Sequence, residues 1–190
     1  MQQQDAVDLL DQVARVRRRT RRTLGALWFP LVLFGSLTLL SGLVSWRVGA
    51  EALGAYWLVA APVGSVATSL FYRRRERRVG LEMPTRPALL AVAVIVLGAF
   101  GSGALGGALG AETLSAVGPP LFVSAGYLLF AQIEGSPLLG GVAAALAVTA
   151  LGVAVAGTAP ADAATLLAVV YGVTFLLTGL AFRMERAGRA

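Results

Sequence analysis

Six apolar stretches, separated by short polar or turn-forming segments, dominate the pattern of the chain. An α-helix rises about 1.5 Å per residue, so some 20 apolar residues are enough to cross a hydrocarbon core about 30 Å thick. The pattern therefore predicts an all-α, polytopic integral membrane protein with six transmembrane helices. The predicted spans are 24–46, 54–72, 88–110, 116–133, 138–157 and 163–182.

The residues before the first span are polar and have a pattern of their own. Acidic residues come first and arginines follow, an order that suits the dipole of a helix. We predict that residues 1–23 form a short cytoplasmic amphipathic helix along the membrane surface; the alternative is a solvated tail whose arginines only set the topology. The apolar positions that recur at helical spacing are Ala6, Leu9, Leu10, Val13 and Val16.

A run rich in arginine, residues 73–78, lies between the second and third spans. Each guanidinium costs about 2.5–3.5 kcal/mol at the centre of a membrane helix, even on insertion-based scales. We therefore predict that this run is a loop, and basic loops of membrane proteins remain in the cytoplasm. With six spans, both chain ends then also lie in the cytoplasm, including the tail at residues 183–190. Of the 16 basic residues, all arginine, only Arg47 falls on the outer side.

The composition agrees with a protein of the bilayer. Hydrophobic residues make up 57% of the chain even without its 23 glycines, and charged residues make up 14%, against about 25% in soluble proteins. The chain has no lysine and no histidine, and alanine, glycine, valine and leucine are abundant, which is typical of a bacterial genome rich in G and C. We expect a multi-pass protein of the bacterial plasma (inner) membrane.

The inventory of reactive side chains argues against an enzyme. Without cysteine, histidine or lysine, the usual nucleophiles, general bases and zinc or haem ligands are missing. The chain also has no phosphate-binding loop and no nucleophile elbow, and its acidic residues near the spans fall at span ends. We expect no catalytic residues, no cofactor and no metal site.

The third span is rich in small residues at every fourth position, which places each set on one face of a helix. Small residues let another backbone approach closely, so we interpret this span as a packing surface; a substrate groove lined by exposed backbone is the alternative. The candidate packing residues are Gly98, Ser102, Gly103, Gly106, Gly107 and Gly110.

The fourth span contains two consecutive prolines, which lack the N–H donor that a helix interior needs. We expect them to break the helix or to shorten it. Tyr127 and Glu134 are seven residues apart and share a face, so this span could line a polar pocket or path; alternatively, Glu134 pairs with an arginine at the inner interface. The candidate pocket residues are Pro119, Pro120, Tyr127, Gln132 and Glu134.

No motif resembles the signature of a known family, so function is argued from class alone. The leading hypothesis is a non-enzymatic accessory or regulatory membrane subunit that acts through helix packing and an arginine-rich cytoplasmic face. The alternative is a small oligomeric transporter or channel with a path beside spans three and four. Expected partners are anionic lipid headgroups, a membrane or cytoplasmic protein, or a second copy of the chain, and not nucleic acid. The candidate docking residues are Arg73, Arg74, Arg75, Arg77 and Arg78.

Overall fold

The computed structural model describes residues 27–79 and 85–187, and these ranges form six α-helices. All six are long and apolar enough to cross a membrane, so the prediction of an all-α chain with six candidate spans is confirmed. The predicted amphipathic helix at residues 1–23 lies outside the described residues. The helices are α1 (Trp28–Val48), α2 (Ala52–Val79), α3 (Thr85–Ala108), α4 (Glu112–Glu134), α5 (Pro137–Val155) and α6 (Pro160–Ala187).

Tight turns connect α1 with α2 and the consecutive helices from α3 to α6, and the turn between α4 and α5 shows how the sequence forms one. Gly135 ends α4 in the left-handed conformation at φ 63°, which glycine adopts without strain. The Ser136 side chain then accepts a hydrogen bond from the backbone N–H of Leu139 at 3.3 Å and so caps α5. Pro137 follows in the first turn, where its missing N–H costs nothing.

The exterior of the bundle is apolar, whereas part of its interior is polar. Large apolar side chains such as Leu97 and Val148 are mostly exposed, at 73% and 68%. Ser41 and Ser124, in contrast, are buried between helices. Water would not favour this distribution, but lipid does, because apolar side chains lose nothing there and small polar residues join helices. The distribution agrees with a multi-pass membrane protein.

The helices form a bundle in which α4 occupies the centre. The most extensive contacts join α1 with α6 and α3 with α4, and α4 also packs against α5 and α6. Among the described residues, α2 packs substantially only against α1, and α3 only against α4. Therefore α2 and α3 are the peripheral helices and offer the most surface to lipid or to another protein.

The prediction of a loop at residues 73–78 is wrong, because α2 continues through them to Val79. Arginine is a good helix former, and residues 65–79 contain no glycine or proline that could end the helix. The hydropathy pattern marks where a helix leaves the hydrocarbon, and a helix can extend beyond that point. The basic run is therefore carried on a helical extension of α2. The last helix extends past its apolar stretch in the same way and ends at Ala187.

The expected break at Pro119 and Pro120 is also not found, because α4 is continuous from Glu112 to Glu134. Each proline removes one backbone hydrogen bond, but the two losses are adjacent and affect less than one turn. The neighbouring helix does not crowd the Pro119 ring: even a methyl group built at Gly103 of α3 would remain 3.7 Å from it. Neighbouring helices commonly make proline tolerable in membrane helices.

The start of α1 and the ends of α2 and α6 meet at one end of the bundle. The Trp28 ring lies edge-on to Phe71, with 5.6 Å between centroids, and the Arg183 guanidinium lies 5.4 Å from the centre of the same indole. We call this the basic end, because it carries most of the described arginines. Its described charged side chains are Arg73, Arg74, Arg75, Glu76, Arg77, Glu134, Arg183 and Glu185.

Candidate functional site

One small-residue face of α3 packs against α4. At Gly106 the helices approach so closely that an added Cβ would lie 2.5 Å from the backbone nitrogen of Ser115. The Ser115 hydroxyl donates a hydrogen bond back to the carbonyl oxygen of Gly103 at 3.3 Å. This face is therefore engaged within the chain. Its facing pairs are Gly98 with Phe122, Ser102 with Gly118, and Gly106 with Ser115.

The remaining candidates of the predicted third span do not face α4. A methyl group at Gly107 or at Gly110 would meet no atom within 4 Å, and the same holds for Gly101, which the sequence analysis did not select. Gly110 has a φ of 66° and serves the turn into α4. The six candidates thus divide into an inner face against α4, a border position at Gly103, and an outer face open to the surroundings.

The candidates in α4 also divide between surroundings. Tyr127 is 7% exposed, and its ring centroid lies 4.6 Å from that of Phe175. Glu134, at the end of the same helix, is partly buried and takes part in a polar or electrostatic interaction, whereas Gln132 is exposed. Pro119 lies two turns earlier on the side toward α3, whereas Pro120 is seven residues before Tyr127 and shares its helix face.

A buried chain of hydrogen bonds connects three helices at the centre of the bundle. The Tyr171 hydroxyl of α6 donates to the carbonyl oxygen of Leu146 in α5 at 2.9 Å. Since that hydroxyl has one hydrogen, the Ser124 hydroxyl of α4 must donate to Tyr171, across 2.8 Å. All three residues are buried, with Ser124 fully so. Sequence reasoning did not select Tyr171, which lies inside an otherwise ordinary apolar stretch.

Sequence reasoning also missed the tightest contact of α1, which is with α6. A Cβ at Gly35 would come within 3.0 Å of the Gly172 carbonyl oxygen, and one at Gly172 within 2.9 Å of the Leu39 nitrogen. Near the far end of this interface, the hydroxyls of Ser45 and Thr165 are hydrogen-bonded at 3.0 Å. A signal was present, since glycines recur seven residues apart in both helices. The pairs are Gly35 with Gly42, and Gly172 with Gly179.

The basic end combines charged and aromatic side chains. Arg73, Arg74 and Arg77 are exposed, whereas Arg75 is partly buried and takes part in a polar or electrostatic interaction. The side chain of Arg78 is outside the described part. Below these arginines an aromatic cluster joins α1 to α2, in which Phe29 and Phe71 stack with centroids 4.1 Å apart. Its members are Trp28, Phe29, Phe71 and Tyr72.

Within the described residues, no group of three or more acidic, histidine or cysteine side chains is arranged to hold a metal ion. The features that the described residues do show are close contacts between helices, a buried chain of hydrogen bonds and the basic end. No protein family, curated protein or solved structure matches this chain. These contacts are therefore the basis on which the function of the chain is inferred.

Proposed function

We propose that the chain is a non-enzymatic accessory or regulatory subunit of a membrane assembly, acting through helix packing and an arginine-rich cytoplasmic face. One observation carries the proposal: two buried serines, which a transport path beside α3 and α4 could use, are instead engaged in contacts between helices. Ser102 packs on Gly118, and Ser124 is fully buried in its hydrogen bond to Tyr171. Side chains engaged in this way stabilise a bundle and are not available to a moving solute.

The proposed location is the bacterial plasma membrane, with the basic end in the cytoplasm. The distribution of charge along the bundle supports this orientation. The opposite end carries Arg47 together with Glu51, Glu112 and Asp162, whereas arginines predominate at the basic end. Arginine and lysine are retained on the cytoplasmic side during insertion, so the side richer in them is the inner one.

The outer face of α3 is the surface that this proposal assigns to a protein neighbour in the membrane. Gly101 and Gly107 leave flat backbone there, beside exposed Leu97 and Leu105. A helix from a second copy or from another membrane protein could approach such a surface closely, and close approach is the main source of helix association in lipid.

A flux measurement distinguishes this proposal from a transporter with a path beside α3 and α4. The purified full chain would be reconstituted into vesicles that hold a pH- or potassium-sensitive dye. We expect the signal of empty vesicles, because the path-forming side chains are committed to the bundle. Flux above that signal, changed by Ser124→Ala or Ser102→Ala, would contradict the proposal and favour the transporter.

A crosslinking measurement tests the outer face of α3. The chain has no cysteine, so one introduced thiol can carry a photoactivatable group without background. Gly107→Cys places it on the outer face, and Gly152→Cys is a matched control in α5, also exposed and without atoms within 4 Å of an added Cβ. We expect an adduct of one defined mass from position 107 in native membranes, and at most a trace from position 152. Equal labelling at the two positions would remove α3 as the docking helix.

A further inference from the structure

Three helices bring one guanidinium and an aromatic platform together at the basic end. Trp28 begins α1, which lies between α2 and α6. Its ring contacts Phe71 of α2, and the exposed Arg183 of α6 lies over it at 5.4 Å, within the range of a cation–π interaction. Arg74 is exposed one turn beyond Phe71, so a second guanidinium follows the same aromatic surface.

The position of Arg183 along α6 places it at the depth of lipid headgroups. An exposed apolar stripe runs along this helix through Val173, Leu177 and Leu180, and Arg183 comes less than one turn after Leu180. A lipid-facing stripe of this kind ends where the hydrocarbon ends. Tryptophan is enriched at that same depth, because its ring is apolar and its N–H is polar. Trp28 and Arg183 therefore lie at the boundary between acyl chains and headgroups.

We propose that this surface binds an anionic phospholipid, with its phosphate between Arg183 and Arg74 and an acyl chain along the exposed stripe of α6. The inference rests on the proposed function only in taking the basic end as an interaction face. Guanidinium donors suit a phosphate, since they offer several N–H groups to its oxygens and retain their charge at any physiological pH.

The surface fits a lipid better than it fits an acidic soluble protein. A soluble partner would use the guanidiniums, but it would have no use for an apolar stripe that continues from them into the hydrocarbon. A phospholipid uses both parts at once, because its phosphate and its acyl chains are joined. Free phosphate would use the charged part alone.

The test measures lipid binding by the purified full chain in nanodiscs whose bulk lipid is phosphatidylcholine. Phosphatidylglycerol would be titrated in, and retained lipid would be counted by native mass spectrometry. We expect retention of phosphatidylglycerol over phosphatidylcholine, and Arg183→Gln or Arg74→Gln should each weaken it about fivefold, the effect of one basic residue near an anionic surface. Arg183→Lys, which keeps the charge, should lose less than Arg183→Gln.

Arg47→Gln is the matched control, because the chain repeats the same pair at its opposite end. The Arg47 guanidinium lies 4.7 Å from the centre of the Trp46 ring, and its side chain is exposed. The variant therefore removes one charge and one cation–π pair without touching the basic end. We expect phosphatidylglycerol retention to be unchanged, and a loss equal to that of Arg183→Gln would overturn the site.

Two further arms identify the source of the anion. Inorganic phosphate and a soluble poly-glutamate peptide would compete against bound phosphatidylglycerol, and we expect neither to displace it at equal charge concentration. Displacement by phosphate would reduce the site to an anion site, and displacement by the peptide would assign it to an acidic protein; either result overturns the proposal. Failure here leaves the α3 crosslink and the flux result intact, so the two proposals fail separately.

Discussion

The phenolic hydroxyl of Tyr171 donates a hydrogen bond to the main-chain carbonyl oxygen of Leu146 across 2.9 Å. Because Ser124 donates to the same hydroxyl, one side chain connects α4, α5 and α6. Inside a bilayer no bulk water is present to replace such bonds, so each lost partner is felt. We therefore expect that removing the Tyr171 hydroxyl alone weakens the contacts among these three helices.

Replacing Tyr171 by phenylalanine removes only the hydroxyl and keeps the ring that packs against Phe175. We expect the free energy of unfolding to fall by about 1–2 kcal/mol, since interhelical hydrogen bonds in membranes average about 0.6 and reach about 1.7 kcal/mol. Unfolding in mixed micelles with increasing SDS measures this. Thr149→Val is the control, because its hydroxyl bonds only within its own helix, to Ala145; a loss of equal size there would contradict the special role of the junction.

Replacing Gly106 by alanine tests the contact between α3 and α4. The added methyl group would meet the Ser115 backbone, which cannot rotate away, so the helices must separate. We expect a destabilisation of about 1–3 kcal/mol, typical of overpacking. Gly107→Ala, one residue further, should cost nothing and could gain up to about 1 kcal/mol in helix propensity. Identical melting temperatures of the two variants in detergent would show that α3 does not pack on α4 through Gly106.

Replacing Gly172 by alanine tests the contact between α1 and α6. The new Cβ would come within 2.6 Å of the Leu39 side chain and within 2.9 Å of its backbone nitrogen. The side chain can move but the backbone cannot, so we expect a loss of about 1–3 kcal/mol. Gly152→Ala provides the reference, because its added methyl group would have open space. Resistance to SDS unfolding decides the comparison, and an unaffected Gly172→Ala protein would argue against this interface.

Neutralising the arginines at residues 73–78 tests the orientation. In the proposed orientation the basic end is cytoplasmic, and glutamine at these five positions makes the charge difference that favours it smaller, so we expect a mixed population of orientations. Reporter fusions after residues 80 and 112, which this orientation puts on opposite sides of the membrane, read the sides directly. Arg47→Gln removes the one arginine that the described residues place at the opposite end and should leave both reporters unchanged. If the glutamine variant also leaves them unchanged, another segment sets the topology.

The six candidate spans were predictable because a helix that crosses a bilayer needs a long apolar stretch, which is directly visible in the sequence. The ends of the helices were not, because an arginine-rich sequence such as residues 73–78 leaves the hydrocarbon without leaving the helix. The two prolines of α4 misled for a related reason. Their cost depends on how the surroundings satisfy the freed backbone groups and accommodate the rings, which the sequence of α4 does not show.

For the contacts between helices, the sequence predicts which residues share a helix face but not which helix packs against that face. A spacing of four residues places Gly98, Ser102 and Gly106 on one face of α3. It does not show that α4 packs on that face or that Gly107 is exposed. Gly35 and Gly42 are seven residues apart, but in a chain with 23 glycines this spacing alone predicts no contact. It becomes informative only when α6, with Gly172 and Gly179, is known to pack against α1. A lone Tyr171 in an apolar stretch has no partner in sequence at all, since Leu146 contributes a backbone oxygen that every residue possesses.

The contact between α1 and α6 has a consequence for biosynthesis. Ser45 and Thr165, which are bonded across it, are 120 residues apart in the chain. A ribosome that adds about 5–20 residues per second makes the second partner roughly 6–24 s after the first. During that interval Gly35 and Gly42 of α1 are not yet packed against α6, and the Ser45 hydroxyl is not yet bonded to Thr165. We therefore expect the insertion machinery or surrounding lipid to cover this face of α1 until α6 has been synthesised and inserted.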